Sequence, residues 1–148
     1  MHSPLTFDDL DPRATDYAAR VVDRILQAAV TRGVSDIHLD AHGKAGGVSL
    51  KWRIDGNLLA VGNLPDGEST SIVARLKALA RLITYRYDIP QEGRMTFGDS
   101  ALEARVGTLP TLHGERVVIR LIAKQTGEWL PEQLGFTCDI LSALRREL

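Results

Sequence analysis

Residues 47–54 alternate between apolar and polar side chains and lead directly into the dipeptide Asp55-Gly56. A two-residue period is typical of a β-strand that buries one face. Because Asp and Gly tolerate the positive φ of a tight type I′ turn, the pattern predicts an antiparallel hairpin with residues 57–62. The fold must therefore contain a sheet with one buried face, which receives Val48, Leu50, Trp52 and Ile54.

Two amphipathic helices are predicted around this hairpin. In the first, from residue 16 to residue 33, apolar side chains recur three to four positions apart. The second follows capping groups at residues 66–69. We expect Arg75, Lys77 and Arg81 to lie off its inward stripe. That stripe contains Ile72, Leu76, Leu79, Ala80 and Ile83.

The other elements complete an alternating plan. The remaining extended segments are residues 35–40, 95–97, 102–109 and 115–123. Residues 117–122 are apolar on both faces, which predicts a central strand. A short helical end at residues 131–134 and an amphipathic segment at residues 137–148 follow. The order helix, three strands, helix, three strands, helix predicts an α+β fold with helices packed on a mostly antiparallel sheet.

The chain length favours one domain. With 148 residues, of which 44% are apolar, the chain can bury one core and is too short for two ordinary domains. We assign residues 15–148 to this domain. Residues 1–14 combine two prolines with several acids around isolated apolar residues, so we expect a flexible N-terminal arm, with a docked extension as the alternative.

Composition excludes several classes of protein. Eighteen Lys and Arg residues nearly balance nineteen Asp and Glu residues, so no broad field favours nucleic acid or an anionic membrane as a partner. Cys138 is the single cysteine, which excludes an intramolecular disulfide and a cysteine metal cluster. No apolar stretch approaches the roughly 18 residues of a membrane span. These features fit a cytosolic protein.

Arginines on the predicted strands, or directly before one in the case of Arg94, are the first candidates for chemistry. Arg94 and Arg105 lead this set, in which Arg53, Arg116 and Arg120 are further cations. A planar guanidinium matches phosphate oxygens bidentately and stabilises charge that develops in phosphoryl transfer. The structural alternative is a solvated sheet face on which these arginines pair with acids such as Glu103.

Asp36, His38 and Asp40 form a second candidate, because they alternate onto one face of a strand. Two carboxylates and an imidazole are a plausible metal set. The set lacks a fourth ligand, however, so we favour a histidine hydrogen-bonded between structural acids and expect no metal site.

The glycine run at residues 43–47 includes Lys44 and invites comparison with a phosphate-binding loop. A P-loop requires G-x-x-x-x-G-K-[ST] between a strand and a helix. This run joins two predicted strands and lacks both the spacing and the hydroxyl, so it is interpreted as a hairpin loop. We expect no catalytic activity from this chain alone.

Six motifs occur in a fixed order along the chain and together resemble one protein family. They are Arg24-Ile-Leu-Gln-Ala-Ala-Val-Thr-Arg-Gly33, Ser35-Asp-Ile-His-Leu-Asp40, Arg53-Ile-Asp-Gly56, Ile89-Pro-Gln-Glu-Gly-Arg94, Ala104-Arg-Val-Gly-Thr-Leu-Pro-Thr111 and His113-Gly-Glu-Arg-Val-Val-Ile-Arg-Leu121. The order resembles the PAS-like N-terminal domain of type II secretion and type IV pilus assembly ATPases. We expect this chain to be that domain without its catalytic half.

The resemblance implies a PAS-like antiparallel sheet and a role at a nucleotide. In the complete ATPase, Arg94 and Arg105 would reach phosphates held by the catalytic domain, with ATP and Mg²⁺ bound there and hydrolysis coupled to domain motion. The implied partners are that catalytic domain, neighbouring subunits of a hexameric ring and inner-membrane platform proteins. The implied location is the cytoplasm, at the inner membrane through these partners.

The sequence departs from the family pattern at two places along the chain, and a second function stays open. Tyr87-Asp88 stands where the family commonly carries Arg-Arg or Lys-Arg, and Ala123 replaces an acid at the end of the last strand. The alternative function is a free-standing PAS-like module that binds a protein or a small ligand without a motor role. Only Arg94 and Arg105 argue for the nucleotide role over this alternative.

Overall fold

The computed structural model describes residues 4–42, 47–64, 67–98, 102–123 and 135–147. Within these ranges the chain forms three helices and six strands in the predicted order. The helices are α1 (Tyr17–Thr31), α2 (Ser69–Leu79) and α3 (Cys138–Glu147). The strands are β1 (Asp36–Ala41), β2 (Val48–Ile54), β3 (Asn57–Leu64), β4 (Gln91–Phe97), β5 (Leu102–Thr111) and β6 (Gly114–Ala123). Residues 43–46 of the predicted glycine loop and the predicted helical end at residues 131–134 lie outside the described residues.

The six strands form one antiparallel sheet in the order β3-β2-β1-β6-β5-β4. β6 lies at the centre and pairs with β1, where Ile37 is opposite Ile119. This position confirms the prediction of a central strand from residues 117–122. The sheet and its helices confirm the α+β class.

The β2–β3 hairpin has the geometry predicted from its turn. Asp55 and Gly56 adopt φ values of 48° and 80°, the positive values that a type I′ turn requires at both central positions. The alternation in β2 then places Val48, Leu50 and Trp52 in the core. Trp52 is fully buried and has the largest of the buried side chains.

One face of the sheet is covered by α1 and α2, and the other face carries the polar strand residues. The inward stripe of α1 is confirmed, with Tyr17, Val21 and Ile25 among its buried members. These pack in one cluster with Leu39, Val106 and other apolar strand residues. We call the opposite surface the open face. It is defined by the outward positions of β1, β2, β4, β5 and β6.

The predicted stripe of α2 is wrong at two positions. The helix ends at Leu79, and Ile83, expected inside, is 44% exposed. Arg81 adopts a φ of 59°, in the left-handed region, which turns the chain away from the helix axis before Ile83. Lys77, expected off the stripe, is fully buried because it meets a carboxylate inside the protein.

Residues 4–14 pack against the domain. Phe7 and Leu10 are buried, and the amide of Leu5 donates to the carbonyl of Val61 at 2.8 Å. The N-terminal residues pass close to β3 at Gly62, where a Cβ would lie 2.6 Å from the Leu5 carbonyl oxygen. Arg24 of α1 also binds Asp9 through two hydrogen bonds. The sequence predicts a flexible arm here, with a docked extension as the alternative. The contacts of residues 4–14 are those of a docked extension.

The final helix, α3, confirms the amphipathic segment expected near the end of the chain. Its apolar residues Ile140 and Leu144 are 48% and 41% exposed. In the part of the chain that the structure describes, neither α3 nor the other helices are long and apolar enough to cross a membrane.

Candidate arginine site on the open face

The strand register brings the two predicted arginines together. Arg94 of β4 is the direct cross-strand partner of Arg105 of β5, and Arg105 is in turn opposite Arg120 of β6. The same row continues through Asp36 of β1 to Arg53 of β2. Because side chains of cross-strand partners point to the same face, Arg94, Arg105 and Arg120 stand side by side on the open face. We call this line of residues, from Arg94 to Arg53, the arginine row.

Arg94 and Arg105 are exposed and only loosely paired. Their side chains are 67% and 49% accessible. Arg94 lies 3.6 Å from Glu103, and Arg105 lies 3.9 Å from Glu92, both across the β4–β5 ladder. The structural alternative of pairing with Glu103 is therefore present, but such surface pairs contribute only about 0–1 kcal/mol. Both guanidinium groups have donors left for an incoming anion.

A groove at the edge of the sheet brings a further cation, Arg81, next to Arg94. The sequence did not assign Arg81 to a site. Arg81 and Arg94 both line this groove, which has a volume of about 370 Å³ and lies between the end of α2 and β4. The sequence signal was weak, since Arg81 looked like an ordinary solvated residue of a helix.

Arg120 differs from its two neighbours in the row because it is anchored. Its Nε donates to Asp36 at 2.8 Å, and Asp36 also accepts from the Ser35 hydroxyl at 2.9 Å. Arg53 lies 3.6 Å from the same carboxylate. Burial alone would disfavour the charged form, but the hydrogen bonds from Arg120 and Ser35 outweigh it and hold the pKa of Asp36 below its usual value.

Asp36, His38 and Asp40 lie on the same face, as predicted, but the carboxylates serve as anchors for cations. Asp40 accepts from Lys51 at 3.0 Å and from Arg116. Burial lowers the pKa of His38, against the raising effect of Asp36, and its Nε2 is buried without a hydrogen-bond partner. Among the described residues no cluster of three or more His, Cys, Asp or Glu side chains could hold a metal. The two acids thus pair with cations, and the hydrogen bond expected between them and His38 is not formed at Nε2.

These ion pairs predict a dependence of stability on acid pH. The hydrogen bonds from Lys51 and Arg116 outweigh burial and lower the pKa of Asp40, as happens at Asp36. A lowered folded-state pKa stabilises the fold above the unfolded value of about 3.9, and that contribution is lost as pH falls through the folded value. We expect the free energy of unfolding to fall less steeply below about pH 4 in Asp36→Asn than in the parent.

Urea unfolding at a series of pH values between about 6 and 2 measures this slope. Asp55→Asn, which changes an exposed carboxylate in the β2–β3 turn, is the matched control and should follow the parent. Parallel curves for Asp36→Asn and the parent would contradict the assigned role of Asp36.

A second cluster, buried between α2 and the start of β6, was missed by sequence reasoning. The Nζ of Lys77 lies 2.7 and 2.9 Å from the two carboxylate oxygens of Glu115, and it also donates to the carbonyl of Arg86. The side chains of Lys77 and Glu115 are 0% and 4% exposed. Tyr87, one of the departures from the family pattern, places its ring 4.9 Å from the ammonium. No local pattern marks a lysine for burial, so the sequence held no signal for this pair.

The motif Ile89-Pro-Gln-Glu-Gly-Arg94 shapes the approach to the arginine row. The Gln91 side chain accepts from the amide of Ile83 at 2.8 Å and donates to the carbonyls of Ile83 and Arg86 at 3.1 and 3.0 Å. Gly93 packs against the end of α2, where a Cβ would overlap the Ala80 carbonyl and lie 2.8 Å from Leu82 Cδ2. Only glycine permits this approach, which places Arg94 next to the end of α2.

Comparisons with known proteins cover most of the chain. The family model described as Type II/IV secretion system protein matches residues 13–148. Type IV pilus assembly ATPase TfpB of Acinetobacter baylyi is 38% identical over 133 residues, which are 87% of this chain and 22% of that protein. Type II secretion system protein E of Xanthomonas campestris pv. campestris is 34% identical over 131 residues, which are 87% of this chain and 23% of that protein.

The fold also has a counterpart among solved structures. The X-ray structure of the Legionella pneumophila ATPase DotB matches with a TM-score of 0.53 at 17% identity, covering 97% of this chain and 38% of that one. At this identity the likeness supports the fold alone. The chain spans less than a quarter of the length of the two curated relatives described above.

Proposed function

Because this chain belongs to the type II/IV secretion system protein family, we propose that it acts as the arginine-donating domain of a secretion or pilus ATPase. Arg94 and Arg105 contact the phosphates of ATP bound by a separate catalytic domain. Changes at the nucleotide then move this domain against that catalytic domain, which couples hydrolysis to motion.

The observation that carries this proposal is the pair of exposed guanidinium groups side by side on β4 and β5. Like charges directly opposite each other on neighbouring strands destabilise a sheet. A local conflict of this kind is expected where residues serve a function instead of the fold. A guanidinium group binds two phosphate oxygens at once, so two adjacent arginines match the several oxygens of a polyphosphate.

The difference between Arg120 and the pair Arg94 and Arg105 supports the same role. Asp36 anchors Arg120 through a hydrogen bond at 2.8 Å, whereas Arg94 and Arg105 lie 3.6 and 3.9 Å from Glu103 and Glu92 and keep spare donors. An anion that approaches the open face can therefore be bound by Arg94 and Arg105 without displacing the hydrogen bond that anchors Arg120. Phosphoryl transfer gains most of its rate from such positioned charge.

Hydrolysis itself falls to the catalytic domain, because this sequence contains no G-x-x-x-x-G-K-[ST] motif. ATP and Mg²⁺ would be held there, and the two arginines would supply charge from outside. Neighbouring subunits of a ring and platform proteins at the inner membrane are the partners that this assignment implies, in the cytoplasm. The names of the curated relatives, which describe an ATPase and a secretion protein, support this reading.

Nucleotide affinity tests the proposal without relying on turnover. In a protein that joins this chain to a family catalytic domain, Arg94→Ala/Arg105→Ala should weaken binding of a non-hydrolysable ATP analogue about tenfold or more, because charge-assisted hydrogen bonds are lost. Affinity for ADP should change less if the contacts include the γ-phosphate. Titration calorimetry measures both.

Arg75→Ala is the matched control for this titration. Arg75 is an exposed arginine of α2, the helix that covers the opposite side of the sheet. Parent-like affinity for the ATP analogue in Arg94→Ala/Arg105→Ala would refute the proposed contact and favour a module without a motor role.

A further inference from the structure

Lys77 occupies a position where stability alone gives little reason for a lysine. Its side chain is fully buried, and Glu115 neutralises it. Charged side chains are almost never fully buried unless they are paired. Replacing such a pair by apolar residues of similar volume is often neutral or stabilising. The pair therefore points to a task other than holding the core together.

The remaining contacts of Lys77 lie in the segment that joins α2 to β4. We call residues 80–90 the connecting segment, which contains turns and bends but neither helix nor strand. Its Arg86 carbonyl accepts one hydrogen bond from Lys77 and another from Gln91. Lys77 thus ties the middle of the connecting segment to α2 and, through Glu115, to the start of β6.

The connecting segment leads directly to the arginine row. Arg81 opens it in the left-handed conformation, and the Gln91 side chain closes it by binding both backbone groups of Ile83. Gln91 is the first residue of β4, and Arg94 is the fourth. The path of the connecting segment therefore decides where β4 starts and how Arg94 is presented.

We propose that Lys77 is a positioning residue for Arg94, an inference that rests on the proposed role of Arg94 at a nucleotide. Lys77 holds the Arg86 carbonyl in the middle of the connecting segment, and Gln91 at the start of β4 binds the same carbonyl. A guanidinium held in place before the nucleotide arrives needs little reorganisation during phosphoryl transfer. The Tyr87 ring packs over the ammonium of this buried pair.

Backbone amide exchange tests the structural step in this chain. The variant Lys77→Met/Glu115→Leu removes both buried charges and leaves neither unpaired. We expect the Ile83 amide to exchange about tenfold faster or more, because a charge-assisted hydrogen bond to the connecting segment is lost. Urea unfolding of the same sample reports whether the fold is intact. If this variant does not fold, Lys77→Leu/Glu115→Met carries the same test.

The matched control removes an ion pair outside the connecting segment. Arg24→Met/Asp9→Leu deletes the pair that holds the N-terminal residues to α1, and it should leave the Ile83 amide at its parent rate. Parent-like exchange of Ile83 in a folded Lys77→Met/Glu115→Leu protein would overturn the positioning role.

Turnover separates this inference from the proposed function. Joined to the catalytic domain, Lys77→Met/Glu115→Leu should lower kcat about ten- to a hundredfold, the scale expected for a misplaced catalytic group. Added to Arg94→Ala it should lower kcat no further, because Lys77 acts through Arg94. A full additional loss in the Arg94→Ala background would refute the positioning role alone. If Arg94→Ala itself leaves kcat unchanged, the proposed function fails, and the positioning role fails with it.

Discussion

Replacing Arg94 by alanine is expected to lower ATP turnover about a thousandfold when this chain is joined to a family catalytic domain. The expectation follows from the position of Arg94 on the open face, where its side chain is 67% exposed and lies 3.6 Å from Glu103. A guanidinium supplied from outside a nucleotide site stabilises the charge that spreads over the transferring phosphoryl group. Steady-state hydrolysis at saturating ATP measures the loss as a change in kcat.

Three further variants sharpen this measurement. Arg105→Ala should lower kcat on a similar scale, and the double variant should lose less than the product of the two single losses, because adjacent groups act as a unit. Arg94→Lys should recover only part of the rate, since an ammonium lacks the bidentate fork. Arg75→Ala should behave as the parent. A kcat within a few-fold of the parent in Arg94→Ala would remove the assigned role.

Lys77→Met alone is expected to lower the free energy of unfolding by about 3–5 kcal/mol. The substitution preserves most of the side-chain volume but leaves the Glu115 carboxylate buried, with a side chain only 4% exposed and no cation beside it. An unpaired buried charge costs far more than the lost attraction itself. Urea unfolding followed by circular dichroism measures the change.

The double variant Lys77→Met/Glu115→Leu tests the physical reason for this loss. If the cost arises from the stranded carboxylate, removing it should restore most of the stability. Lys51→Met is the control, because Lys51 pairs with Asp40 while remaining 31% exposed, and it should cost about 1 kcal/mol or less. Equal losses of unfolding free energy in Lys77→Met and Lys51→Met would show that burial of the ion pair does not increase the cost of removing its lysine.

The elements with a strong periodic pattern could be predicted from the sequence. The β2–β3 hairpin was recoverable because alternation reports a strand with one buried face and Asp55-Gly56 reports its turn. The central place of β6 followed from its apolar character on both faces. The end of α2 was not recoverable, because Ile83 continues the apolar period while the backbone at Arg81 has already left the helix.

The candidate site was predictable in its residue types and not in its arrangement. Arginine on a strand suggests an anion, but the same pattern fits a solvated face. The pairing of β5 with both β4 and β6 distinguishes Arg94 and Arg105, which keep spare donors, from Arg120, which Asp36 anchors. Asp36 and Asp40 bind cations from β2 and β6, which only the tertiary structure brings beside them.

The sequence by itself determined which segments form helices and strands, which face of β2 is buried and which family the motifs resemble. Only the tertiary structure decided that Lys77 is buried against Glu115, which lies 38 residues further along the chain. It also decided that Arg94, Arg105 and Arg120 lie in one row. The reason is physical. Periodicity and turn preferences depend on neighbours within a few residues, whereas strand register and the neutralisation of a buried charge depend on groups that only folding brings together.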